Sequence, residues 1–200
     1  MHHSKQQLGF SLVEVLVSIT ILLLVIVGPL QIISRSINST NFATEQVNAW
    51  FLAQEGIELA QKGRDDLVLE DFEDRLGGGS GTNPMTEFLS EYADCFSADG
   101  CGLNIGDGTT LSAPVTCGVL SNCRLYLTPR TDNDRSSYQH SVAGNAITPY
   151  TRVITMEETS ASGKVREIQV TSTVTWRTGS LISSQRVEAV SYLFNVYDTD

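Results

Sequence analysis

Polarity along this 200-residue chain changes character three times. From Phe10 to Ile33 almost every position is apolar, and the one ionisable side chain in those 24 residues is Glu14. As a helix rising about 1.5 Å per residue the run is roughly 36 Å long, enough to cross a hydrocarbon core of about 30 Å. Gly28-Pro29 interrupts it. Proline deletes a helical hydrogen bond and crowds the preceding turn, so a kink or a locally melted stretch is expected there. Beyond it Ala43, Val47, Trp50, Ala53, Ile57 and Ala60 recur at three- and four-residue steps. This predicts one apolar stripe on a helix reaching about Lys62, with Trp50 in the core and Gly63 as the stop.

The pattern then loses its period. Leu67 to Leu76 suggests a short helix among acids, Gly77-Gly78-Gly79-Ser80-Gly81 a turn or linker, and Thr86–Phe96 a further helix. The end of the chain alternates instead. Arg124–Thr128 and Tyr150–Glu157 suggest strands. From Val165 to Arg177, Ile168, Val170, Val174 and Trp176 fall on one face, with Glu167, Gln169, Thr171, Thr173 and Thr175 on the other. Gln185–Val196 follows, with Val190, Tyr192, Phe194 and Val196 in step, and Thr159–Gly163 and Thr178–Ser180 supply turns. Three such strands with short connections make an antiparallel meander over 149–197. The predicted class is therefore α+β, a long N-terminal helix packed on a C-terminal antiparallel sheet. Residues 10–63 form the helix, with a membrane segment at 10–33, and 64–200 form a globular head whose region 64–148 is loop-rich.

Charge narrows the function. The net charge is −10, and removing residues 1–9, which hold Lys5 and no acid, leaves 12 basic against 23 acidic side chains. Nucleic-acid binding needs clustered Lys and Arg to displace counterions, and the sequence has no such run, so no direct nucleic-acid partner is expected. Lys5 ahead of the apolar run favours the cytoplasmic side for the start of the chain. Cys95, Cys101, Cys117 and Cys123 are spaced C-x5-C-x15-C-x5-C. Outside a membrane an even cysteine count reads as two disulfides, whereas structural zinc sites usually space their ligands by two to four residues. Three pairings are possible. The two local rings demand least of the fold, and a nested pairing would pin two segments together.

Glu14 is the informative residue. A carboxylate in lipid costs several kcal/mol unless it is partnered or neutralised. An α-amine four residues ahead would lie on its own helix face. The sequence Gly9-Phe10-Ser11-Leu12-Val13-Glu14-Val15-Leu16 resembles the processing site of type IV prepilins and the pseudopilins of type II secretion. The resemblance implies cleavage after Gly9 by a membrane prepilin peptidase and N-methylation of Phe10. It also implies assembly of the helix into a filament, where Glu14 faces a neighbour's amine. Other pilin subunits, an inner-membrane assembly platform and the lipid bilayer are the implied partners. The helix-breaking Gly28-Pro29 would let the helix loosen on leaving the membrane. A secretory signal peptide would require a small-residue cleavage site after the apolar run, which is missing, and a plain signal anchor has no use for Glu14.

No catalytic constellation is evident, and neither a cofactor nor a metal is assigned. His140 is the one histidine outside the leader, near Ser136, Ser137 and Asp134, and reads as a polar loop residue. Asp132-Asn133-Asp134 and the Asn104–Gly108 stretch with Asp107 lack the spacing of a calcium loop, although some members of the resembled family bind calcium in their heads. Asp65, Asp66, Glu70, Asp71, Glu73 and Asp74 form a charge run, expected to be a solvated face. The expected function is a structural subunit, a minor one, of a type IV pilus or of a secretion or competence pseudopilus. It begins as a single-pass protein of the cytoplasmic membrane with its head outside. The alternative is a pilus-tip or membrane-anchored adhesin.

Overall fold

A computed structural model describes residues 11–106, 110–129, 136–142, 144–159, 167–177 and 183–195. The chain divides into two units, Met1–Thr44 and Glu45–Asp200. Helix α1 covers Leu12–Leu76. Helix α2 (Pro84–Glu91) starts at Asn83, whose side chain accepts hydrogen bonds from the amides of Met85 and Thr86, with Pro84 tolerated in a first turn that needs no amide donor. The strands are β1 (Cys101–Gly102), β2 (Val115–Thr116), β3 (Arg124–Leu127), β4 (Tyr138–Gln139), β5 (Ala146–Glu158), β6 (Glu167–Trp176) and β7 (Gln185–Phe194). All pairings are antiparallel in one seven-stranded sheet. β5 is its spine: β6 and then β7 lie on one side, β3–β4 and β1–β2 on the other.

The meander of long helix and sheet is as expected, and three details differ. First, α1 does not stop at Gly63 but runs to Leu76, absorbing the separate helix expected at 67–76. Gly63 is buried, and a Cβ there would lie 2.7 Å from the Tyr92 ring. Its small size serves close packing, not termination. The stop is Gly77 to Gly79, whose amides close onto the carbonyls of Glu73, Arg75 and Asp74, with Gly78 at φ +88°.

Second, the expected stripe is buried at Ala53, Ile57 and Ala60 but not at its N-terminal half. Ala49, Ala53, Gly56, Ala60, Gly63 and Leu67 follow alternating steps of four and three and are all buried. Ala43 and Val47 are exposed, and Trp50, expected in the core, is 48% exposed. Closeness decides between the faces. Five alanines and glycines in a row let the helix backbone approach the sheet, whereas a stripe centred on Trp50 would hold it off. Third, Val190, Tyr192 and Phe194 of β7 point outward. β7 pairs with β6 so that Leu193 opposes Ile168 and Val187 opposes Val174, which puts Val187, Ala189 and Leu193 on the covered face. Val196 lies outside the described residues, as do most residues of both expected turns.

The remaining expectations fare better. The inward face of β6 is the predicted one, with Ser172 added. The helix expected at Thr86–Phe96 is α2 followed by a 3-10 turn at Ala93–Phe96. α1 stays helical through Pro29, so the melted stretch expected at Gly28-Pro29 is not seen.

The core is packed tightly enough that adding one carbon is costly. A Cβ on Gly56 would overlap Ser172 Oγ and come within 3.1 Å of Arg152 Cδ. Gly56→Val is expected to lower stability by about 1–3 kcal/mol. Thermal unfolding of the full chain in detergent, followed by near-ultraviolet circular dichroism, measures this. An unchanged melting temperature would refute the close approach.

Candidate functional site

The N-terminal segment is an unshielded apolar rod. Residues 12–41 of α1 are all exposed, among them seventeen large aliphatic side chains from Leu12 to Ile37. The helix is long and apolar enough to cross a membrane. Leu, Ile and Val hold it helical because every backbone donor beyond the first turn meets a carbonyl of its own segment, the condition for any chain that spans lipid. Small hydroxyl residues follow the same rule: Ser18 Oγ donates to the Glu14 carbonyl at 2.7 Å, Thr20 to Val17 and Ser34 to Leu30.

Glu14 lies in the first turn of α1, where the helix dipole favours an anion. The next charge along the chain is Arg35, and the twenty intervening residues carry none. At about 1.5 Å per residue they span roughly 30 Å, the thickness of a hydrocarbon core. The two charges thus bracket one bilayer-length stretch, with the carboxylate at its N-terminal edge. Gly9 and Phe10, the expected cleavage residues, lie outside the described residues, as do Lys5, Asp107, Asp132, Asn133 and Asp134.

The cysteines pair locally, Cys95 with Cys101 and Cys117 with Cys123, which removes the zinc alternative and the nested pairing. The two rings sit side by side. Cys101 pairs with Thr116 across β1–β2, and the Cys117 amide donates to the Gly100 carbonyl at 3.0 Å. No group of three or more His, Cys, Asp and Glu suited to a metal occurs among the described residues.

His140 is not a solvated loop residue. It is 8% exposed, follows β4, and its ring lies against Gly102. Its amide donates to Asn104 Oδ1 at 2.9 Å, and Nδ1 is 3.3 Å from the Arg124 carbonyl. Burial, and secondarily the charge of Arg152, lowers its pKa to about 4. Ser137 is occupied with Thr128, the residue after β3, so it does not pair with His140.

Sequence reading passed over Arg152. It is fully buried, with Nη1 donating to Glu55 Oε2 at 2.9 Å and to the Leu52 carbonyl at 3.3 Å, and Nη2 to the Leu103 carbonyl at 3.1 Å. One guanidinium thus ties α1, β5 and the segment after β1 together. The signal was available: Tyr150, Arg152, Ile154 and Met156 alternate on the inward face of β5, and a charge in that frame must be paired.

The depressed pKa of His140 gives stability a pH dependence of definite sign. Above about pH 6.5 the ring is neutral in both folded and unfolded chains. Between about 6.5 and 4 the unfolded chain takes up a proton that the folded one refuses, so stability falls by about 3 kcal/mol in total and then levels off. Urea unfolding of the wild type and of His140→Gln from pH 7 to 4 isolates this slope, which the variant should lack. Equal slopes would refute the assignment.

Comparison with known proteins bears on the N-terminal rod. Residues 4–28 match the family described as the prokaryotic N-terminal methylation motif; no curated protein and no solved structure matches the chain. The match spans Gly9, Phe10 and Glu14 and ends at Gly28. The chain carries the type IV prepilin and pseudopilin signature at its N-terminus, ahead of an α+β head of pilin-like layout.

Proposed function

We propose that the protein is a structural subunit of a type IV pilus or of a secretion or competence pseudopilus, and a minor one. Prepilin peptidase would cut after Gly9 and Phe10 would become the methylated terminus. The apolar segment of α1 would first hold the subunit in the cytoplasmic membrane, head outside, and then pack in the filament core. The observation that carries this reading is the bare apolar rod with one carboxylate at its N-terminal edge, inside the matched motif.

The chemistry of assembly follows from that placement. In the bilayer Glu14 sits at the level where headgroups and water reach it. Transfer into a core of packed apolar helices removes that solvation, which costs several kcal/mol unless an opposite charge arrives. A free N-terminal ammonium on a neighbouring subunit supplies it, and only processing after Gly9 creates one at that depth. Cleavage would thereby license assembly. Gly28-Pro29 is proposed as the point where the helix bends during the transfer, since the missing Pro29 amide leaves one carbonyl in the previous turn without its helical donor. The minor assignment rests on the acidic head, the glycine-rich interruption at 77–81 and the run of short elements between α1 and β5. The matched motif favours a structural subunit over an enzyme.

Two variants test the reading. Glu14→Ala should insert in the membrane normally yet be depleted at least tenfold from sheared filaments, about 1.4 kcal/mol or more of lost assembly energy. Gly9→Ala should retain residues 1–9. Quantitative mass spectrometry of membrane and filament fractions reads both. Normal incorporation of Glu14→Ala, or a native mature terminus in Gly9→Ala, would sink the corresponding assignment.

A further inference from the structure

The outward face of the sheet carries a basic groove that no feature above explains. Arg124 of β3 opposes Thr151 of β5, Thr151 opposes Thr175 of β6, and Thr175 opposes Arg186 of β7. The strands therefore lay an arginine–threonine–threonine–arginine row straight across the sheet. With Arg177 it lines a groove of about 760 Å³ floored by Val153 and flanked by Leu120. In an acidic chain this is a concentration of positive charge. Elsewhere in the same unit Lys62, Arg64, Arg75 and Arg152 each meet a carboxylate. Arg186 shares its charge with Glu188, which also accepts from Thr173. Arg124 and Arg177 have no carboxylate partner among the described residues. Three strand spacings of about 4.8 Å separate the outer arginines by roughly 14 Å, room for a helix 10–12 Å across.

A second surface of the same unit has the opposite character. The last turns of α1 expose Leu69 (60%), Phe72 (58%) and Leu76 (73%). They lie at three- and four-residue steps, so they form one ridge, with Glu73 on it and Glu70 at its edge. Neither Glu70 nor Glu73 has an ion-pair partner among the described residues. Three large apolar side chains beside two unpaired acids fit a groove lined by Val153, Leu120 and a row of threonines, with unpaired arginines on its rims. The ridge is exposed within its own molecule, so the groove it meets belongs to another.

We infer that the groove is the docking site for a second copy of this chain, occupied by its Leu69–Leu76 ridge, with Arg124 and Arg177 facing Glu70 and Glu73. This rests on the filament-subunit reading and extends it. The contact joins two different surfaces, so it is heterologous and propagates from copy to copy instead of closing into a pair. One ridge in one groove buries far less than the 1,200–2,000 Å² or so of a stable complex. It therefore acts among subunits already held side by side by their apolar helices, where effective concentration is high. A subunit scarce in the filament as a whole would then occur in runs.

The test uses the full-length chain in cells, with sheared filaments as the readout. Glu73→Cys combined with Arg177→Cys should give a ladder of disulfide-linked multimers that neither single variant gives. Independently, Arg124→Glu with Arg177→Glu should lower filament incorporation roughly tenfold, as like charges placed across a contact do. Adding Glu70→Arg and Glu73→Arg should restore it. Absence of the ladder, or a loss the reciprocal reversal does not repair, overturns the inference. So does an arginine variant that assembles normally but no longer retains dextran sulfate, which would mark the groove as a site for free polyanions. If Glu14→Ala filaments are normal, the filament reading itself fails; if Glu14→Ala is depleted while the ladder is missing, only this contact fails.

Discussion

The head is organised around a charge placed where charge is expensive. Arg152 is fully enclosed, and its guanidinium reaches Glu55 and the Leu52 carbonyl on α1 and the Leu103 carbonyl beyond β1. An isolated cation there would be penalised by several kcal/mol, so the pair forms in one arrangement only, with helix, spine strand and loop all in place. Burial lowers the arginine's pKa and Glu55 opposes that shift. The pair, buried on the arginine side and open to solvent at Glu55, is a register device more than a source of net stability. A one-residue slip of β5 would turn Arg152 outward and bring its apolar neighbours with it. The same centre explains two further features: Gly56 leaves room for the Arg152 side chain, and His140 stays neutral partly because that charge is near.

How far the sequence could be read follows from which signals are local. Alternation in β6 and β7 is local, and both strands, with their antiparallel order, were legible to within two or three residues. Which face of β7 turns inward is set by pairing with β6, a nonlocal fact, and the run Val190, Tyr192, Phe194 pointed the wrong way. The helix shows the same limit. A hydrophobicity count favours Val47 and Trp50, but the sheet selects the face that lets backbones approach, and alanine and glycine carry that signal weakly. Gly63 misled for the same reason: in sequence a glycine reads as a terminus, and only the Tyr92 ring above it shows that its use is spatial.

The candidate site divides along the same line. Gly9, Phe10 and Glu14 fall within the matched residues 4–28, a signal carried by offsets along the sequence alone. The basic groove was illegible because Arg124, Arg177 and Arg186 are far apart in the chain and are gathered by strand pairing. The statement that the chain has no cluster of arginines is true of the sequence and false of the surface.

The two cysteine rings are local enough to close without the rest of the fold. Each joins cysteines six apart in sequence. A ring this small removes only about 2 kcal/mol of chain entropy from the unfolded state, less than a long-range bridge would. What it offers instead is independence: each cysteine's partner is the nearest one along the chain, so both bonds can close before β5 has arrived to fix β1. Oxidation can then precede the sheet, so that the spine strand packs against loops already closed.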